Sequence, residues 1–323
     1  MNRAKFIQIG ESIHASIPQS GAAMKKLVKQ HPSAFKQSSE SLNFIISLIT
    51  SQIENHADYL AVNVDEFADD DPQPAIELMQ NLVDLVKMHS QNIPVCIDSS
   101  NNNILKAGLL QWYHDSPDDI ATPLINSVKT YTIEDILPLR RKYPFKAIGL
   151  LVDDKKAEAD GAYSVNALYD MALTIFHAAT QQYGFQSDDL FFDSTVFPLA
   201  IDMPMMPGNP GYTCRAFEAI RKIMNDPQMK GVNTSLGISN CARDLPGRKV
   251  GLCRAYLAVA QNYGLNAAIV NVMHAYGQKP PAPELVQLVQ AFADQDGSEQ
   301  PSLNAMKLMT NFCRETRKQK QNA

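Results

Sequence analysis

Eight times along the chain a short apolar run stops on an amide or a carboxylate and gives way to a stretch with helical spacing. That alternation constrains the fold more than any other feature. Strands apolar on both faces belong to parallel sheets, and helices between them cover the sheet from outside. The sharpest example is NIPVCIDSSNNN at 92–103, where Ile93, Val95, Cys96 and Ile97 form a buried-strand run around Pro94 and the chain then stops on Asp98. A carboxylate at the C-terminal mouth of a parallel strand stands where open α/β sheets and closed barrels place ligand chemistry. The plainer reading is a helix N-cap, but Ser99, Ser100, Asn101, Asn102 and Asn103 compete for that role ahead of the helix expected from Ile104.

The other strands are expected at 5–9, 59–64, 123–125, 147–152, 190–192, 234–238 and 267–270. Between them, Leu42, Ile45, Leu48 and Ile49 repeat at helical spacing, as do Leu168, Met171, Ala172 and Ile175 behind a Ser164 cap. A short helix carries Ile133, Ile136 and Leu137, limited by Pro138. The connection 12–33 is long for an α/β unit and reads as a lid or wrapping segment. Eight units of roughly 35–40 residues match the repeat of a closed (β/α)8 TIM barrel rather than an open sheet. The barrel is expected over 1–297, with a C-terminal helical extension and basic tail over 298–323.

A net charge of −5 and a pI near 5.8 give no electrostatic footprint for nucleic acid. Five cysteines without a CxxC pair suit reduced thiols and a cytoplasmic location. No apolar run reaches the ~20 residues of a membrane span.

In a barrel, the strand ends would present Glu11, Asn63, Asp98, Asn126, Asp153, Asp193, Asn240 and Asn271 around one rim. No strand delivers a His, Lys or Cys before its end, so the usual nucleophile-plus-base set and a Schiff-base lysine are missing. Carboxylates only accept hydrogen bonds, and two on one ligand edge require adjacent N–H donors, as in an aminopyrimidinone; amides read a mixed edge. A pterin ring meets that description. No metal site is expected from the histidines, which show no HxxxH or HxxE pairing, although a hard cation such as Mg²⁺ on Asp98 and Asp193 is the rival use of the rim.

These residues resemble the pterin-binding barrels, a family that includes dihydropteroate synthase and the methyltetrahydrofolate methyltransferases of cobalamin metabolism. The matching motifs are IGESIH, ADYLAVNV, PVCIDSSN, PLINSV, AIGLLVDD, LFFDSTVFP, LGISNCARDLPGR and GLNAAIVN, in order from 6 to 271. Within the family the chain looks like the methyltransferase branch, through Gly10-Glu11 after the first strand and Gly237-Ile238-Ser239-Asn240 after the seventh. The Ser-Arg-Lys of dihydropteroate synthases is absent, and Ser12 and His14 stand where the branch has Arg and Asn.

The resemblance implies that Asp98, Asn126 and Asp193 hold the pterin of methyltetrahydrofolate, with Glu11, Asn63, Asp153, Ser239 and Arg248 as further substrate-binding residues. Asn240 would be catalytic, beside the ring nitrogen that carries the methyl group. The methyl would pass to or from the cobalt of a corrinoid (cobalamin) on a separate protein, since no Asp-x-His-x-x-Gly signature occurs in this chain. A homodimer is also implied. A dihydropteroate-synthase-like condensing enzyme and a non-catalytic pterin-binding subunit are the alternatives.

Several features carry a plainer expectation. The acidic run Asp65, Glu66, Asp69, Asp70, Asp71 reads as a solvated loop. Arg243, Arg248, Lys249 and Arg254 suit either an anionic folate tail or ordinary surface basicity. Met203, Met205 and Met206 read as packing beneath a Pro-rich loop, and Cys241 as structural. His14 reads as a polar loop contact, with proton relay as its functional alternative.

Overall fold

The computed structural model describes residues 6–30, 33–153, 163–203 and 206–321. Eight parallel strands run β1 (Ile7–His14), β2 (Tyr59–Asn63), β3 (Val95–Asp98), β4 (Leu124–Val128), β5 (Lys146–Leu150), β6 (Leu190–Asp193), β7 (Asn233–Ser235) and β8 (Ala267–Val270). Their order is β7-β6-β5-β4-β3-β2-β1-β8. A single bridge, Gly237 with Ile269, brings β7 and β8 together, with the Ile269 N–H donating to the Leu236 carbonyl at 3.0 Å. The result is the expected (β/α)8 TIM barrel.

The helices between the strands are α1 (Pro18–Lys29), α2 (Glu40–Glu54), α3 (Gln73–His89), α4 (Asn102–Tyr113), α5 (Ile133–Ile136), α6 (Val165–Gln182), α7 (Tyr212–Asn225) and α8 (Lys249–Asn262). After β8 come α9 (Pro283–Ala293) and α10 (Glu299–Gln321). Helix α10 packs on α9, and its Ala305 and Phe312 are buried in the main core. Ser164 caps α6 as expected, its hydroxyl accepting from the Ala167 N–H at 3.1 Å. Pro138 ends α5 by converting the next turn to a 3-10 helix.

The start of the chain differs from expectation. β1 does not end at residue 9: it bulges between Gly10 and Ile13 and continues to His14, which pairs with Asn63. The bulge is held by Gln52 of α2, whose Oε1 accepts from the Ser12 N–H at 3.1 Å. A Cβ on Gly10 would lie 2.3 Å from that oxygen, so only glycine lets Gln52 approach. The segment expected as a lid or wrapping stretch carries helix α1, begun by Pro18 and burying Ala23, Met24 and Leu27. Lys5, Asp154 and Met205 lie outside the described residues.

Inside the barrel, Ile9, Ala61, Cys96, Leu124, Ile148, Phe191 and Ala267 form a separate apolar cluster. Each comes from a different strand, which is the layered filling of a small barrel. Side chains two residues apart on a strand share a face, so the next layer toward the mouth is set by sequence. It consists of Glu11, Asn63, Asp98, Asn126, Leu150, Asp193 and Ile269. An apolar floor therefore lies under a polar rim.

Candidate active site

That rim opens into a cavity of about 590 Å³, within the range of small-molecule sites. Glu11, Asp98, Asn126, Asp193, Ser239 and Asn240 all line it. Chain segments far apart in sequence thus meet at one place, because parallel strands all end on the same side of the barrel.

Asp98 accepts from the Asn126 side-chain amide at 3.0 Å. Desolvation pushes its carboxyl up to about 7; the charges of Asp65, Glu11 and Asp193 add to this, and a hydrogen bond from Asn63 opposes it. Asp193 also rises to about 7 by desolvation, against the opposing Thr195 N–H, which donates to its Oδ1 at 2.7 Å. Glu11 behaves likewise: desolvation carries it to about 7, while the Ser239 hydroxyl (3.3 Å) and the Asn271 N–H stabilise its charged form. Among the described residues none of the three carboxyls has an ion-pair partner. They are poised to hold or release protons near neutrality, and to ionise against a ligand that brings N–H donors.

Asn240 sits on the 3-10 turn Ile238–Ala242 that follows β7. Its backbone is tied down, with its N–H donating to the Gly237 carbonyl and its carbonyl accepting from Arg243, but its side-chain amide has no hydrogen-bond partner among the described residues. An amide at the cavity wall with donor and acceptor both open is ready for a ligand.

Four predicted residues do not line the cavity, and one of them is Asn271, whose side chain instead accepts from the Met273 N–H at 3.1 Å. Asn63 is buried beside Asp98 on the neighbouring strand, where it hydrogen-bonds the carboxyl and accepts from the Asp65 N–H at 3.1 Å. Asp153 falls outside because β5 ends at Leu150, which takes the rim position; the Asp153 backbone instead bonds the Tyr163 hydroxyl. Arg248 adopts a left-handed conformation (φ 53°) ahead of α8, pairs with Glu284 and lies over the Phe312 ring. Ser12 is buried facing α2, and Arg254 donates to the His274 carbonyl. Met203 and Met206 do not reach the cavity either.

Sequence reasoning missed Asp65 and Lys129, and left His14 and Arg243 open. All four line the cavity. Asp65 leaves the acidic run to accept from the Ser99 hydroxyl and the Ser100 N–H (2.8 Å), while Asp69, Asp70 and Asp71 are exposed or half-exposed as expected. No strand periodicity marked it, since β2 ends at Asn63 and Asp65 opens the 3-10 turn that follows. His14 Nδ1 accepts from the Ser16 N–H at 3.1 Å, and desolvation lowers its basicity despite Asp65 and Glu66. A ring whose Nδ1 accepts is neutral with the proton on Nε2. No signal marked Lys129, which lies just past β4. Among the described residues no three His, Cys, Asp or Glu side chains form a metal-holding group, and no helix is long and apolar enough to cross a membrane.

Residues 31–271 match the family described as pterin binding enzyme. The match spans most of the barrel and every residue of the apolar floor and rim except those of β1. The chain belongs to the pterin-binding enzyme family. As a structure, this pterin-binding enzyme is similar to a dihydropteroate synthase of Coxiella burnetii in complex with pteroic acid, with a TM-score of 0.52 at 11% identity over 91% of this chain and 95% of that one. It is also similar to the dihydropteroate synthase of Thermus thermophilus, with a TM-score of 0.50 at 12% identity over 84% of this chain and 90% of that one. At such identities the likeness is one of fold.

Proposed function

We propose that this pterin-binding enzyme moves a methyl group between methyltetrahydrofolate, or a related reduced pterin, and the cobalt of a corrinoid carried by a separate protein. The observation that carries the reading is the open Asn240 amide, at the end of Gly237-Ile238-Ser239-Asn240 and inside the same cavity as the rim carboxyls.

Asp98, Asn126 and Asp193 accept from and donate to the amino, ring N–H and carbonyl groups of the pterin, fixing its plane. Asn63 steadies Asp98 from the neighbouring strand. In the forward direction the C–N bond to the methyl breaks, its electron pair stays on the pterin nitrogen, and the reduced cobalt supplies the pair of the new Co–C bond. A tertiary amine leaves poorly unless that nitrogen gains a proton or a strong hydrogen bond. The Asn240 carbonyl accepts from the nitrogen as it gains that proton, favouring the protonated form from which the methyl leaves. Glu11, held near neutrality and hydrogen-bonded to Ser239, the residue before Asn240, is the proton source. Homodimerisation follows the same resemblance, and a cytoplasmic setting follows from the five cysteines read as reduced thiols.

Lys129 and Arg243 favour one second reading, since two cations in the cavity suit the diphosphate leaving group of a dihydropteroate-synthase-like condensation. The test is anaerobic loss of cob(I)alamin absorbance on adding methyltetrahydrofolate and enzyme. We expect transfer by wild type and a rate lower by about 10²-fold in Asn240→Ala, the scale of a lost transition-state hydrogen bond. Binding without transfer would instead mark a non-catalytic pterin-binding subunit, and pyrophosphate release from a dihydropterin diphosphate would mark the condensing enzyme.

A further inference from the structure

Adjoining the main cavity, with which it shares Glu11, Ser239, Asn240 and Arg243, lies a second, smaller pocket of about 280 Å³, walled also by Lys249 and Tyr276, with Cys253 at its lining. Cys253 is on the first turns of α8. Its sulfur is 3.8 Å from that of Cys241, the residue after Asn240. Neither thiol is part of the chemistry proposed above. Cys241 is fully enclosed, and Cys253 is 4% exposed and lines the pocket.

The pair is asymmetric. The Cys241 thiol donates to the Cys253 sulfur, and the Tyr276 hydroxyl also donates to it; these contacts lower the Cys253 pKa against desolvation and the charge of Glu11. Cys241 is pushed the other way, first by desolvation and then by its neighbour. By position, Cys253 is the sulfur at a small opening, its own thiol donating to the Ile238 carbonyl at 3.8 Å, and Cys241 is the thiol enclosed beside it, which is the arrangement of an attacking and a resolving cysteine. The pocket has room for a small hydroperoxide, and Arg243 and Lys249 at its wall favour the anion that leaves.

We propose that this side pocket is a modification site at which Cys253 reacts with small hydroperoxides and Cys241 closes the product into a reversible disulfide. The Cys253 thiolate attacks the peroxide, the O–O bond breaks, and Cys253 carries a sulfenic acid while hydroxide or alkoxide leaves. The Cys241 sulfur then displaces that hydroxyl as water, so two thiols lose two electrons and one peroxide is reduced. A dithiol reductant reverses the step. Closing the gap from 3.8 Å to the ~2.05 Å of a disulfide draws the turn bearing Asn240 toward α8. The part of the proposal that concerns ligand binding rests on the pterin reading; the thiol chemistry does not.

The test uses the full reduced protein, exposed to hydrogen peroxide, alkylated under denaturing conditions and mapped by mass spectrometry. The expected result is a Cys241–Cys253 linked peptide with loss of about 2 Da, removed by dithiothreitol, while Cys313 remains alkylatable. In Cys241→Ser, dimedone should trap Cys253 as its sulfenic acid; in Cys253→Ser, Cys241 should stay a thiol. The oxidised protein should bind methyltetrahydrofolate at least about ten-fold more weakly, since small displacements of positioning groups carry effects of that size or more. If Cys241 and Cys253 both stay alkylatable in wild type while Cys313 oxidises, the proposal is overturned, whatever the variants do. If the disulfide forms but the reduced protein binds no pterin, the site stands and the functional reading falls.

Discussion

The two layers inside this barrel are built from the same strands, two residues apart, and they do opposite work. Ile9, Cys96, Leu124 and Phe191 fill the floor without a polar atom beyond one thiol; Glu11, Asp98, Asn126 and Asp193 stand directly above them. Floor residues gain stability by leaving water. Rim carboxyls lose it, because an unpaired charge resists desolvation, and they answer by rising to about 7. The contrast teaches where the fold's stability ends and its function begins: strain concentrated in one ring of acids is released when a donor-rich ligand arrives.

Mutations separate the layers. Phe191→Ala should cost about 3–5 kcal/mol of stability by opening a hole in the floor, read from urea midpoints. Asp98→Asn and Asp193→Asn should leave thermal midpoints unchanged or higher while weakening pterin affinity by roughly 10²-fold, since a charge-assisted contact is lost with a desolvation penalty. Loss of stability in the Asn variants comparable to Phe191→Ala would erase the distinction.

The pH response sharpens the same comparison. Folded carboxyls near 7 against ordinary values of 3.8 and 4.5 mean that the native state holds more protons than the unfolded one across that interval. Their contribution to stability is fully present below about pH 4 and is lost as pH rises through about 7. Denaturant midpoints of wild type should therefore fall over this window relative to those of the Asp98→Asn/Asp193→Asn double variant, which removes two of the three groups. The smallest effect belongs to Arg248→Ala. It should change pterin affinity little and stability by at most about 1 kcal/mol, because Arg248 is engaged with Glu284 outside the cavity.

Much of this was legible in the residues. Alternating runs located all eight strands, and Asp98, Asn126, Asp193, Glu11, Ser239 and Asn240 line one cavity. What escaped depended on where strands stop. β5 is shorter than its apolar run, so Leu150 takes the place assigned to Asp153; β1 is longer, so His14 reaches the cavity. Pro18 and the spacing of Ala23, Met24 and Leu27 mark a helix within the connection expected as a lid or wrapping segment. Lys129 and Arg243 sit on loops, where no periodicity tells which way a side chain faces. Arg248 was drawn off by Glu284, some 36 positions away, a pairing that only the fold brings about.

The desolvated acids of the rim must grip a pterin if the cavity has the role given to it. Titration calorimetry of methyltetrahydrofolate into wild type and the Asp98→Asn/Asp193→Asn variant measures this directly. Saturable one-to-one binding to wild type, weakened by at least about 10²-fold in the variant, is the predicted result. Equal affinity in the two proteins, or no saturable binding to wild type, would contradict it.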